Sequence, residues 1–210
     1  MSWIDKLYDL GSSPTSKPYW PHGKMKAVLM YDYKKYRKME EYNILKTLYS
    51  DYVDFFDEDI ATDCLSKLTC NDKLVLIGEG GPFGFKGQSY RLAELDGPQY
   101  LYIAKKLYIL GLRNIGVIQL NASFTGYGRF IHDLKEGLKI FGINFSYLCG
   151  PTASYNYSEN GKGFVTVKLA NVLTVPKINQ YTILKGNVSK SFAGTRYQGN
   201  DDTGFTIEHF

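Results

Sequence analysis

Two short apolar runs dominate the chain's pattern, Lys73–Ile77 (KLVLI) and Asn114–Leu120 (NIGVIQL). The unbroken run of the first reads as a strand covered on both faces, and the second reads as the next buried strand. Lys26–Tyr33, Tyr52–Phe56 and Ile143–Leu148 are further strand candidates. Between them the spacing becomes helical: Lys34–Ser50 carries Tyr36, Met39, Tyr42, Leu45, Leu48 and Tyr49 at helix intervals. A helix is expected through Ile60–Leu68. Another opens at Asp96, an N-cap with Gly97 and Pro98 behind it, and ends before Gly111. A third fills Gly128–Phe141 and is closed by Gly142. Alternating strands and helices call for a mostly parallel sheet with helices on both faces.

From Gly161 onward the period changes. The segments FVTVKLANVLTV, YTILKGNVSKSF and TGFTIEHF alternate and are joined by Gly, Asn and Ser turns, the mark of hairpins. Residues 1–24 hold Gly, Ser and prolines and read as an arm with a short helical piece at Trp3–Leu10. The expected organisation is an arm over 1–24, an α/β domain over 25–178, and a C-terminal β segment over 179–210 packed on the same domain.

Composition narrows the class. A chain of 210 residues buries a full core in one domain. The 18 Tyr and 12 Phe are unusual, and buried phenols need partners. A net charge of +4 is too mild to point to nucleic acid. Cys64, Cys70 and Cys149 lack the paired short spacings of a zinc site and read as free thiols. Residues 1–24 lack the apolar core and cleavage pattern of a secretory signal, and no apolar run reaches the ~20 residues that span a bilayer.

Candidate chemistry follows from the strand order, because open α/β sheets place sites outside the carboxyl ends of their strands. Three such ends stand out: Gly78-Glu79-Gly80-Gly81 after KLVLI, Asn121-Ala122-Ser123-Phe124 after GVIQL, and Cys149-Gly150-Pro151 after INFSYL. Glu79, the 121–123 turn and Cys149 are expected to line one rim, with glycines allowing close backbone approach. The run GEGGPFG lacks the G-x-x-x-x-G-K-[ST] spacing of a phosphate loop, which removes nucleotide binding.

The order strand, glycine loop, helix, strand and turn resembles the catalytic signature of caspase-like cysteine peptidases. The nearest resemblance is to the autoprocessing domains of multifunctional autoprocessing RTX toxins and of large clostridial glucosylating toxins. KLVLIGEG stands where that family has its strand and G-H-G, and IGVIQLNAS where it has the strand ending in the nucleophile. The helix RFIHDLKEGLKIFG, the strand INFSYL and the β-flap-like SENGKGFVTVKLANVLTV follow in family order. The resemblance implies a caspase-like three-layer α/β sandwich, a mostly parallel central sheet and a C-terminal β-flap region. It also implies a secreted bacterial toxin or effector acting in a host cytosol.

The family's histidine position holds Glu79 and its cysteine position holds Ala122. A cysteine peptidase needs a thiolate and an imidazole, and alanine supplies neither. Three readings follow: a pseudopeptidase that binds a partner protein, a peptidase whose nucleophile at position 122 has been replaced, and a different hydrolase using Glu79, Ser123 or Cys149. Each residue also has a plain reading. Glu79 is a base or a cation holder, or else accepts hydrogen bonds from its own glycine loop. Ser123 is a nucleophile or a turn serine. Cys149 is a displaced nucleophile or a core thiol, and His132 is a packed or surface histidine. Whether Glu79 faces an open pocket or is filled in by Phe83, Phe85 and Phe124 separates the enzyme readings from the binding one. The resemblance further implies inositol hexakisphosphate as an allosteric ligand, for which Lys35, Arg37, Lys162 and Lys168 are the candidate contacts within lysine-rich segments at 24–38 and 162–185.

Overall fold

A computed structural model describes residues 20, 23–31, 40–57, 59–85, 98–157, 163–169, 173–176 and 181–188. The fold is α/β. Its main sheet contains β1 (Met25–Leu29), β2 (Tyr52–Asp54), β3 (Lys73–Ile77), β6 (Asn114–Asn121), β7 (Asn144–Pro151) and β11 (Tyr181–Lys185). The spatial order is β11-β7-β6-β3-β1-β2. Five strands run parallel, and β11 pairs antiparallel to β7. A two-stranded hairpin, β4 (Gly80–Gly81) and β5 (Gly84–Phe85), follows β3. A separate antiparallel sheet joins β8 (Ser154–Tyr157), β9 (Gly163–Leu169) and β10 (Leu173–Pro176).

Among the described residues there are three helices: α1 (Glu40–Leu48), α2 (Gln99–Ile109) and α3 (Phe130–Ile140). The larger core packs α2 and α3, through Ile103, Leu107, Ile131 and Leu134, onto Leu74, Leu76, Ile118 and Leu148. On the opposite face Leu45 and Tyr49 close over Ala27, Leu29, Val75 and Ile77. Trp20 covers Val117, Tyr147, Cys149 and Ile183. The helices stop where their following glycines adopt the left-handed conformation, Gly111 at φ 93° and Gly142 at φ 68°.

Two expectations change. Residues 62–67 form successive turns rather than the helix expected over Ile60–Leu68. The Leu65 N–H donates to Leu110 O across the core (2.8 Å), so it is not available to a helical ladder. The strand expected at Ile143–Leu148 continues to Pro151, because β11 pairs with it as far as Tyr181↔Pro151. The start of the expected C-terminal β segment is therefore the sixth strand of the main sheet. Asp96, the Trp3–Leu10 piece and the TGFTIEHF segment lie outside the described residues.

Candidate functional site

The carboxyl end of β3 meets the carboxyl end of β6. Ile77 is in register with Asn121, and Gly78 N–H donates to Asn121 O at 3.3 Å. The glycine hinge serves this meeting. A Cβ on Gly80 would press on the backbone of Ala122 and Ser123, and one on Gly78 would stand 2.9 Å from the Phe85 ring and 3.0 Å from Met30 Cβ. Neither glycine needs a left-handed φ; Gly80 supplies room for the backbone of β6's end, and Gly78 room for the Phe85 ring and Met30.

On this hinge Glu79 is exposed. The hairpin beyond it is gripped by the first residue of α2: Phe85 N–H donates to Gln99 Oε1 and Gln99 Nε2 donates to Phe85 O, each 2.9 Å. Phe85 turns inward and meets Phe130 edge-on at 6.3 Å. Phe83, at the hairpin tip, is 93 % exposed. Phe124 is half-buried, and of the two alternatives for Glu79, open or filled in by these three rings, its exposure matches the open one.

The facing loop is rigidly tied. Ser123 Oγ accepts from Tyr155 N–H (2.9 Å) and donates to Tyr155 O (3.2 Å), which fastens β8 to the end of β6. Phe124 N–H donates to Ala153 O, Gly126 N–H to Pro151 O, and Thr182 Oγ1 to Gly126 O. Phe124 itself sits at φ 59°, a costly conformation for an aromatic residue that these bonds hold in place. Ala122 is 1 % exposed and its methyl belongs to the core under α2 and α3.

Cys149 is not at the rim. It lies inside β7, opposite Gln119 and Ile183, and is fully buried beneath Trp20. Burial pushes its thiol up to about 12, with the nearby Lys73 ammonium partly opposing that shift. Lys73 is itself pushed down to about 8 by burial, and its Nζ stands 5.1 Å from the Trp20 ring centre. A thiol held this high contributes almost no thiolate at neutral pH.

The structure thus brings Glu79, Ala122 and Ser123 together at two adjacent strand ends and leaves Cys149 apart. Among the described residues, no group of three or more His, Cys, Asp or Glu is placed to hold a metal ion. His132 is exposed on α3. Lys35, Arg37 and Lys162 lie outside the described residues; Lys168 is on β9, opposite Thr174. Lys26 is bound to Asp51 at 2.7 Å.

One polar array was not anticipated. Gln119 Nε2 donates to Asn121 Oδ1 at 2.7 Å, and Asn121 is bonded to Tyr49, whose phenol burial pushes up to about 12. Among the described residues Gln119 Oε1 is buried without a partner. Its signal in the sequence was a glutamine inside the otherwise apolar GVIQL. Comparison with known protein families and with curated proteins finds no match for this chain. The fold defines its class as an α/β domain with a six-strand, mostly parallel sheet. Among the described residues no helix is long and apolar enough to cross a membrane.

Proposed function

We propose that this chain is a catalytically degenerate caspase-like domain, related to the autoprocessing domains of bacterial toxins, that acts by binding a partner protein at the carboxyl-end rim. The strand order supports this reading, with five parallel strands and an antiparallel sixth. The observation that carries it is the contrast at the paired strand ends. Glu79 and Phe83 face solvent, while Ala122 is core, Ser123 is bound to backbone and the Cys149 thiol is sealed. A cysteine-peptidase step needs a thiolate and an imidazole at one place, and neither stands at the described rim. Inositol hexakisphosphate binding belongs to the same proposal, through the lysine-rich segments; charge-assisted bonds to phosphate are what such side chains supply.

Photo-crosslinking from position 83 in a host-cell lysate tests the reading. The expected result is a discrete adduct that Glu79→Lys suppresses. A peptide library incubated with the protein should remain intact by mass spectrometry. Cleavage that Glu79→Gln abolishes would replace the proposal with an enzyme. Titration calorimetry with inositol hexakisphosphate should show saturable binding, and absence of heat at any salt concentration removes the polyanion from the reading.

A further inference from the structure

Large apolar side chains exposed among the described residues fall into two groups. Phe83 and Tyr127 stand in the hairpin and loop at the carboxyl-end rim. Tyr108, Ile109 and Ile140 (38, 46 and 69 % exposed) stand at the C-terminal ends of α2 and α3. The second group lies at one end of the helix pair. Both helices cover the same sheet face: Tyr100 and Ala104 of α2 pack at Gly137 of α3, and one further turn along Tyr108 meets Phe141 with ring centres 6.3 Å apart. Ile109 and Ile140 are the last residues of their helices and so share this end.

The charge around these side chains is basic. Lys105, Tyr108 and Ile109 fall on one face of α2 by i, i+3, i+4 spacing, and α2 contains no acid. The Arg113 guanidinium lies 3.6 Å from the Tyr108 ring centre and its Nη1 donates to Tyr108 O and Leu112 O. Among the described residues its hydrogen bonds are made through Nη1, which leaves Nε and Nη2 as a fork for an anion. On α3, Asp133 is bound to Arg129 and Glu136 to Lys139, while Lys135 adds a further cation. Asp63, whose backbone abuts Gly111, marks the acidic edge.

We propose that this end of α2 and α3 docks on an anionic phospholipid surface. Ile109, Ile140 and Tyr108 enter the headgroup boundary, while Arg113, Lys105 and Lys106 engage phosphate. Protruding aliphatic residues ringed by long cationic side chains are what interfacial binding uses. An acidic protein that buries the same isoleucines against the same cations is the alternative that the test below separates. The inference is independent of the rim and of the caspase-like reading, and it involves no membrane span.

Vesicle co-sedimentation tests it, using phosphatidylcholine alone and phosphatidylcholine with roughly 30 % phosphatidylserine. The expected result is binding to the anionic vesicles only. It should weaken about fivefold in Lys105→Gln, as one lost surface cation predicts. It should weaken about tenfold or more in the Ile109→Asn, Ile140→Asn double variant. Both changes are at exposed positions, and an unchanged near-ultraviolet spectrum verifies folding. Equal binding to neutral vesicles, no binding to either, or binding that ignores the isoleucines would overturn the proposal. Displacement from vesicles by soluble polyglutamate with the isoleucine effect absent would assign the patch to an acidic protein instead.

Discussion

The two ends of β3 carry one carboxylate each, and they are used in opposite ways. At the amino end Asp72 is 4 % exposed. Its Oδ1 accepts from Lys24 N–H (2.6 Å), and its Oδ2 from Thr69 N–H (2.7 Å) and Thr69 Oγ1 (2.9 Å). Its backbone O accepts from both Gly116 and Val117 N–H, at 3.0 and 3.1 Å. One aspartate thus ties the segment entering β1, the loop before β3 and the start of β6. At the carboxyl end Glu79 stands on glycines and faces water. A carboxylate surrounded by donors is there to hold the fold, whereas one displayed on a rigid frame is available to something outside it.

The largest effect expected from this contrast is at Asp72. Asp72→Ala leaves the Lys24 and Thr69 donors without an acceptor and should cost about 3–5 kcal/mol, read by urea unfolding. Asp72→Asn keeps one acceptor oxygen and should cost roughly half of that. Values near zero would mean that water replaces the carboxylate and that the amino end is not the fixed one.

Gly80→Ala comes next and sharpens the comparison from the rim side. The new methyl would meet backbone of Ala122 and Ser123 rather than a flexible side-chain tip. A loss of about 1–3 kcal/mol is expected, as for other overpacked positions. If Gly80→Ala is silent while Asp72→Ala is severe, the 122–127 loop yields, and the hydrogen bonds from Tyr155, Ala153 and Thr182 do not fix it.

Much of the frame was readable because its information is local. KLVLI and GVIQL are short, mainly apolar runs whose strands lie where expected, and Gly111 and Gly142 stop helices by a conformation that their residue type announces. The failures share a different cause. The 60–68 segment has helix-like spacing, but Leu65 gives its N–H to Leu110, a bond formed across 45 residues of chain. Gly150-Pro151 reads as a strand terminus, yet Gly150 packs beside Thr125 and Gly126 and the pairing with β11 carries β7 past it. That same extension buries Cys149. Of the candidate site, the meeting of Glu79 with Ala122 and Ser123 was legible from strand order. The consumption of the Ser123 hydroxyl by Tyr155, 32 residues later, was not.

A smaller effect is expected at the buried Lys73–Cys149 pair, beside Asp72 at the amino end of β3, and pH is its lever. Lys73 titrates near 8 in the fold against 10.5 for an ordinary lysine, so its stabilising contribution is full above 10.5 and lost as pH falls through 8. Cys149 runs the other way: held near 12 against 9.0, it contributes fully below pH 9 and loses that as pH rises toward 12. The buried Tyr49 phenol adds to that loss above pH 10. From pH 7 to 9 Lys73 dominates, and stability should rise by about 1 kcal/mol before falling again. Lys73→Met should flatten the rise and spare the fall. A melting temperature that declines steadily from pH 7 would place the lysine charge in contact with water.

The smallest effect is expected at Glu79, and its size decides between two readings of the hinge. If the carboxylate is displayed for a partner, Glu79→Gln changes folding stability by less than about 0.5 kcal/mol, as at other exposed sites without special partners. If instead it accepts N–H groups of its own glycine loop, losing the charge weakens charge-assisted bonds and costs about 1.5 kcal/mol or more. The exposure of Glu79 favours the first outcome, and Phe83→Ser beside it should be equally silent. Two silent substitutions at the rim, set against the severe one at Asp72, would show that this end of β3 is held up by its backbone and leaves its side chains for binding. A costly Glu79→Gln would make both carboxylates structural, and the search for the binding surface would move to Tyr127 and the helix ends.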